Sequence, residues 1–210
     1  MISSKELFSI CLAILVLAFS NSFTNVNSFL ISLLLFAIII LVYVGSKKLM
    51  AYYLEAEEET KIWALKRYGW YEKSHFKTPL PLGIIFPFIL SILSLGLVKW
   101  FAVLESDVKT TVARASKKHD FYSYSELTEW HIGLISAAGI FSCFVLAIIA
   151  YILNYADLAR LSVYYAAFNL IPFGKLDGMR IFFATRGAIL WIILAVITLI
   201  GLFYASPFFY

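Results

Sequence analysis

The chain has 210 residues, of which 62% are hydrophobic, 18% aromatic and 14% charged, and its mean hydropathy is +0.87. A soluble domain is about half apolar and about a quarter charged, so this composition excludes one and predicts an integral membrane protein embedded in a lipid bilayer. The formal net charge of +4 is modest, and no basic patch with interleaved aromatics accompanies it, so no nucleic-acid partner is expected.

A helix needs about 20 apolar residues to cross a hydrocarbon core of about 30 Å. Windows of that kind run over residues 7–24, 28–44, 81–104, 132–154 and 187–204. The first follows Lys5 and contains small residues at Ala18 and Ser20, so a signal peptide is one reading of it. Glu6 offsets Lys5 and apolar character resumes at Phe23, which favours an uncleaved first span. The connection over 21–27 has no lysine or arginine. By the positive-inside rule it lies outside, which makes the N-terminus and segment 45–78 cytoplasmic.

Segment 45–78 begins as a continuation of the second helix. Glu55, Glu57, Glu58 and Glu59 are expected on a solvated helix face, with Glu57 and Lys61 spaced i,i+4 for an exposed ion pair. Segment 105–130 contains "DFYSYSE", whose alternation predicts a short strand or hairpin. The charge rule places it outside despite four basic residues, unless 81–104 re-enters instead of crossing. A sixth run, 158–172, predicts a helix that stops part-way and hands over to irregular backbone. At membrane depth such backbone is tolerated only where protein or water covers it. No internal repeat or sizeable soluble domain interrupts the chain. The whole of 1–210 reads as one membrane domain, with a first span and connection over 1–28 and the remainder over 29–210.

The most informative stretch is "FNLIPFGKLDG", Phe168 to Gly178. An aspartate at a helix centre costs roughly 2.5–3.5 kcal/mol on the insertion scale, so Asp177 needs a reason to be there. One local reason is an N-cap on a helical run starting near Met179, with Asn169 satisfying loose backbone ends near Pro172. The pattern also resembles the N-x-x-P…L-D-G motif of the site-2 proteases, intramembrane zinc metalloproteases. Asn169, Pro172, Leu176, Asp177 and Gly178 match it. Upstream, "ISAAGIFSCFVLAIIA" is similar to the family's A-G-P…N helix. Gly139 is in place, Ile140 stands where proline is usual, and Ser142 or Cys143 stands where asparagine is common. The resemblance spans about 29–202. It implies an all-α, polytopic membrane protein of about six hydrophobic segments with a site-2 protease-like core, in which Asp177 occupies the third zinc-ligand position.

The family's H-E-x-x-H, two histidine ligands one turn apart and a glutamate base, is missing. In one register, "KLMA" from Lys48 to Ala51 matches the tail that follows the motif. Tyr43 and Lys47 then replace the histidines and Val44 the glutamate. In the other, Ala56-Glu57-Glu58-Glu59-Thr60 keeps the glutamate and loses both histidines. The first is preferred, because the second lies more than two turns beyond the apolar run. Catalytic zinc takes three protein ligands, and one carboxylate cannot retain it. No cofactor is therefore expected, with zinc only if an altered site is active.

Other residues offer little to rebuild the site. His75 and His119 lie in polar segments, and His131 beside Trp130 reads as an interfacial anchor. A metal group of Glu126, His131 and Asp177 is conceivable but has no support from spacing. Cys11 and Cys143 fall in apolar runs as small hydrophobes, and no Ser/His/Asp or Cys/His arrangement is present. The expected function is that of a site-2 protease-like pseudoprotease, which binds a transmembrane helix of a partner membrane protein without cutting it. The alternatives are an active metalloprotease with a non-standard metal site and a small transporter or channel-like protein.

Overall fold

A computed structural model describes residues 3–22, 26–67, 75–96, 98–111 and 127–205. The "DFYSYSE" strand, His119 and Glu126 lie outside the described residues. Among these there are seven helices: α1 (Ser4–Asn21), α2 (Val26–Tyr53), α3 (Leu82–Leu93), α4 (Glu129–Ile152), α5 (Ala156–Leu170), α6 (Asp177–Phe183) and α7 (Gly187–Ala205). Four strands accompany them: β1 (Ala56–Ile62), β2 (Leu65–Arg67), β3 (His75–Leu80) and β4 (Leu104–Thr110). Four helices, α1, α2, α4 and α7, are long and apolar enough to cross a membrane.

The chain divides into two compact units, Met1–Ala37 with Thr60–Glu105 and Ile38–Glu59 with Ser106–Tyr210. In the first, α1 packs on α3, with Phe19 and Phe88 ring centroids 4.8 Å apart and the Ser20 and Ser91 hydroxyls hydrogen-bonded at 3.0 Å. Trp63, fully buried, stacks 6.4 Å from Trp100, and Phe86 fills the gap beside both. Lys99 donates to Asn21 Oδ1 at 2.9 Å, and partial burial lowers its pKa below the ordinary lysine value.

Three expectations need correction. Residues 81–104 do not form one membrane-long helix: α3 has 12 residues, about 18 Å of helix against about 30 Å of hydrocarbon. It ends because Leu95 and Gly96 adopt left-handed conformations, and the Gly96 N–H turns back to Ser91 O at 2.8 Å. The expected helical glutamate face is a strand. After α2, Glu55 turns left-handed at φ 52° and β1 begins. A helix would stack these like charges one turn apart, whereas the strand separates them, Glu57 exposed and Glu58 buried beside Lys48. The i,i+4 helical pair of Glu57 and Lys61 is therefore absent. The fold is then mostly helical rather than all-α, with two two-stranded sheets, β1–β4 and β2–β3. Hydrogen bonds flanking the first sheet join Trp63 to Val103 and Glu55 to Thr111, so β1 and β4 run antiparallel.

Within the second unit α4 packs on α5 and α6, and α5 packs on α7. The buried positions of α4 include Gly133, Ser136, Ala137, Gly139, Cys143, Ala147 and Ala150. This small-residue face lets neighbouring backbones approach closely. As expected, α5 stops at Leu170 and irregular backbone follows. The cap residue Ile171 is extended, as a residue before proline must be, and Pro172 cannot continue the helix.

Candidate functional site

Along α2 the buried residues are Ser32, Phe36, Ile39, Ile40, Tyr43, Val44, Lys47 and Ala51. Their spacing of three and four places them on one stripe of the helix. Tyr43 and Lys47 are thus aimed inward one turn apart. The sequence supplies the reason: apolar residues above and below fix the rotation of the helix, and a lysine on that stripe has no route to solvent.

What receives them is Asp177. Lys47 Nζ lies 2.5 Å from Asp177 Oδ2, with the two side chains 1% and 2% exposed. The Tyr43 hydroxyl donates to the same Oδ2 and lies 3.5 Å from Asn169 Oδ1. Lys47 also donates to Ser106 Oγ on β4 at 2.8 Å, and its ammonium sits 4.1 Å from the centre of the Tyr43 ring. The Tyr43 ring meets Tyr165 edge-on at 5.0 Å, and the Arg180 guanidinium donates to the Ser106 carbonyl. Asp177 Oδ1 is buried and accepts no hydrogen bond among the described residues.

The motif residues each have a physical task. Gly139 is where α4 meets the pair: a Cβ there would lie 2.7 Å from Lys47 Cε and 2.8 Å from Tyr43 Cε2. Gly178 lets α6 approach the end of α5, because a Cβ there would strike the Leu170 carbonyl. Leu176 is fully buried beneath the loop. Asn169 anchors its amide to the Tyr165 carbonyl one turn back at 2.8 Å, which leaves Oδ1 facing Tyr43. It does not bond backbone ends near Pro172 as expected. Nor is Asp177 an N-cap. Leu176 holds that position, and Asp177, the first residue of α6, turns its carboxylate inward to the lysine.

The two registers considered for the missing H-E-x-x-H differ sharply in place. Tyr43 and Lys47 converge on Asp177, with Val44 buried between them in sequence. Ala56 to Thr60 lies on β1, where i and i+4 do not present one turn of a helix. The Glu126, His131 and Asp177 group is not assembled from the described residues. His131 holds Thr128 Oγ1 at 2.6 Å in the first turn of α4, about 12 Å along the helix from Gly139. Both cysteines are free thiols, Cys143 buried and Cys11 exposed. Sequence reasoning missed Ser106, Tyr165 and Arg180. Tyr165 and Arg180 had a signal, lying one turn from Asn169 and Asp177. Ser106 had none, since only the fold brings β4 to α2.

As a donor set the centre offers one carboxylate, one phenol, one amide, one hydroxyl and the lysine amine. No group of three or more His, Cys, Asp or Glu side chains able to hold a metal occurs among the described residues. Zinc wants three thiolate, imidazole or carboxylate ligands, and here the Lys47 amine already occupies the one carboxylate. Comparison of the chain with family models, with curated proteins and with solved structures finds no match.

Proposed function

We propose that this chain is a multi-pass membrane protein with a site-2 protease-like core, in which an internal cation stands where the catalytic metal would be. It holds a transmembrane segment of a partner without cleaving it. The observation that carries this reading is the Lys47–Asp177 pair. The two residues substituted for the zinc histidines, i and i+4 on α2, meet at the residue in the third-ligand position. The ammonium supplies the positive charge that would otherwise come from a metal, so the carboxylate persists without one. With no acidified water and no base at Val44, hydrolysis has no driver. A groove of about 430 Å³ between α2 and α4, lined by Val42, Ser46, Leu49, Ala138, Phe141 and Ser142 among others, offers a partner helix a place beside the centre. Its floor carries an interhelical hydrogen bond from Ser46 to Ser142 at 2.9 Å.

The same reading gives a topology. In this reading the pairing of β1 with β4 puts residues 56–62 and 104–110 on one side of the bilayer, with α3 too short to cross between them. Lys61 on β1 and Lys109 on β4 then lie on the cytoplasmic side with the N-terminus, as the positive-inside rule asks.

The test is to rebuild the lost motif. In Tyr43→His/Val44→Glu/Lys47→His, the reading expects about one zinc per chain by mass spectrometry of the detergent-purified protein, lost again when Asp177→Ala is added. The wild-type chain is expected to carry none. Zinc in the wild type that Asp177→Ala removes would instead support an active metalloprotease with unconventional ligands. A correctly folded triple variant without zinc would remove the basis of the resemblance.

A further inference from the structure

A second cavity of about 380 Å³ lies among α4, α5 and α7. Each helix lines it with one face. Phe144, Ala147, Ile148 and Tyr151 on α4 follow the spacing i, i+3, i+4, i+7, and residues 156, 159, 160 and 163 on α5 and 197, 200, 201 and 204 on α7 repeat it. Seven residues of helix make it about 10 Å deep. Small residues, Ala147, Ala156, Ala159 and Gly201, leave the space, and nearly the whole lining is apolar.

One charged side chain lines the cavity, Arg160 in the second turn of α5, with its Nε buried. Tyr151 at the end of α4 and Tyr204 at the end of α7 line it too, and Tyr155 precedes the start of α5 at the same end of the helices, all largely exposed. Tyrosines gather where hydrocarbon meets headgroup, so this end of the three helices marks the interface level. The cavity therefore runs from the interface into the hydrocarbon, with Arg160 one turn in from Ala156 and its side chain leaning back toward the outer end, as helical side chains lean toward the N-terminus. An arginine there is matched by a phosphate through paired N–H donors.

We infer that the α4–α5–α7 cavity is a binding site for an anionic phospholipid, with an acyl chain between the helices and the phosphodiester on Arg160. The inference is independent of the protease-like reading. It requires only that these helices lie in a bilayer.

The experiment is native mass spectrometry of the full chain released from micelles doped equally with phosphatidylglycerol and phosphatidylcholine. The wild type should retain the anionic lipid about fivefold over the zwitterionic one, the factor given by ~1 kcal/mol per basic side chain. Arg160→Gln should bring the ratio to about one, and Arg160→Lys should keep most of the preference. Ala159→Trp, which fills the cavity and keeps the charge, should lower retention of both lipids. Inorganic phosphate should not displace the bound lipid. Equal retention by the wild type would overturn the proposal without any variant. An unchanged preference in folded Arg160→Gln would overturn it as well.

Discussion

The seam between α1 and α3 in one compact unit and the Asp177 centre in the other both bury polar side chains, by different means. In the first unit the seam between α1 and α3 is neutral, a Ser20–Ser91 pair that each partner satisfies with a small hydroxyl. In the second the centre is ionic, Lys47 on Asp177 with Tyr43, Asn169 and Ser106 closing around it. Neutral hydroxyls tolerate the loss of a partner, since a serine in a helix can fall back on its own backbone carbonyl one turn away. A buried charge has no such fallback, and without its counter-charge it must neutralise or draw in water. The seam is therefore packing detail, whereas the centre constrains α2, α5, α6 and β4 at once. A chain that merely needed stability would not require the ionic version, because apolar replacements of buried pairs are often as stable.

The largest expected effect tests that asymmetry directly. Lys47→Met should destabilise by about 3–5 kcal/mol, because it leaves the buried Asp177 carboxyl without its partner, while Lys47→Met/Asp177→Leu should recover most of the loss. Reversible unfolding in mixed micelles, followed by tryptophan fluorescence, reads both; equal losses would show that charge pairing is not what the centre contributes. Next in size is Gly178→Ala, where the new Cβ meets the Leu170 carbonyl and backbone must shift. A loss of about 1–3 kcal/mol is expected by the same assay. Gly45→Ala on the open face of α2 has nothing within 4 Å and should be neutral or stabilising by up to about 1 kcal/mol. On the neutral side, Ser91→Ala should cost only about 0.6 kcal/mol, the average for hydrogen bonds between membrane helices. A loss comparable with that of Lys47→Met would erase the distinction between the seam and the ionic centre.

The smallest effect concerns Lys99, the cation beside the neutral seam. Its pKa is lowered in the folded state by desolvation, so the unfolded chain binds the proton more tightly. Stability should then rise with pH from the lowered value up to the ordinary lysine range, and level off above it. The rise should be absent in Lys99→Gln. Comparing unfolding midpoints of the two proteins between pH 7 and pH 11 isolates it from the other lysines.

Much of the chain's character follows from composition and pattern alone. Long uninterrupted apolar runs can only be helices when backbone groups must be satisfied without water, so α1, α2, α4 and α7 were legible, as was the stop of α5 before Pro172. The inward stripe of α2 was legible too, since residues 36, 39, 40, 43, 44 and 47 share one helical face. Hydropathy failed at 81–104, because it does not register the left-handed turn at Leu95 and Gly96 that cuts the helix short. It failed at Glu55 to Glu59 because local spacing cannot foresee a strand whose partner lies some fifty residues away. The pairing of Lys47 with Asp177 and the arrival of Ser106 beside them are contacts across 130 and 59 residues. No local rule encodes them. Sequence could place an acid and a base on apolar elements; only the packing of α2 against α4, at the one position where Gly139 leaves room, decided that each would be the other's counter-charge.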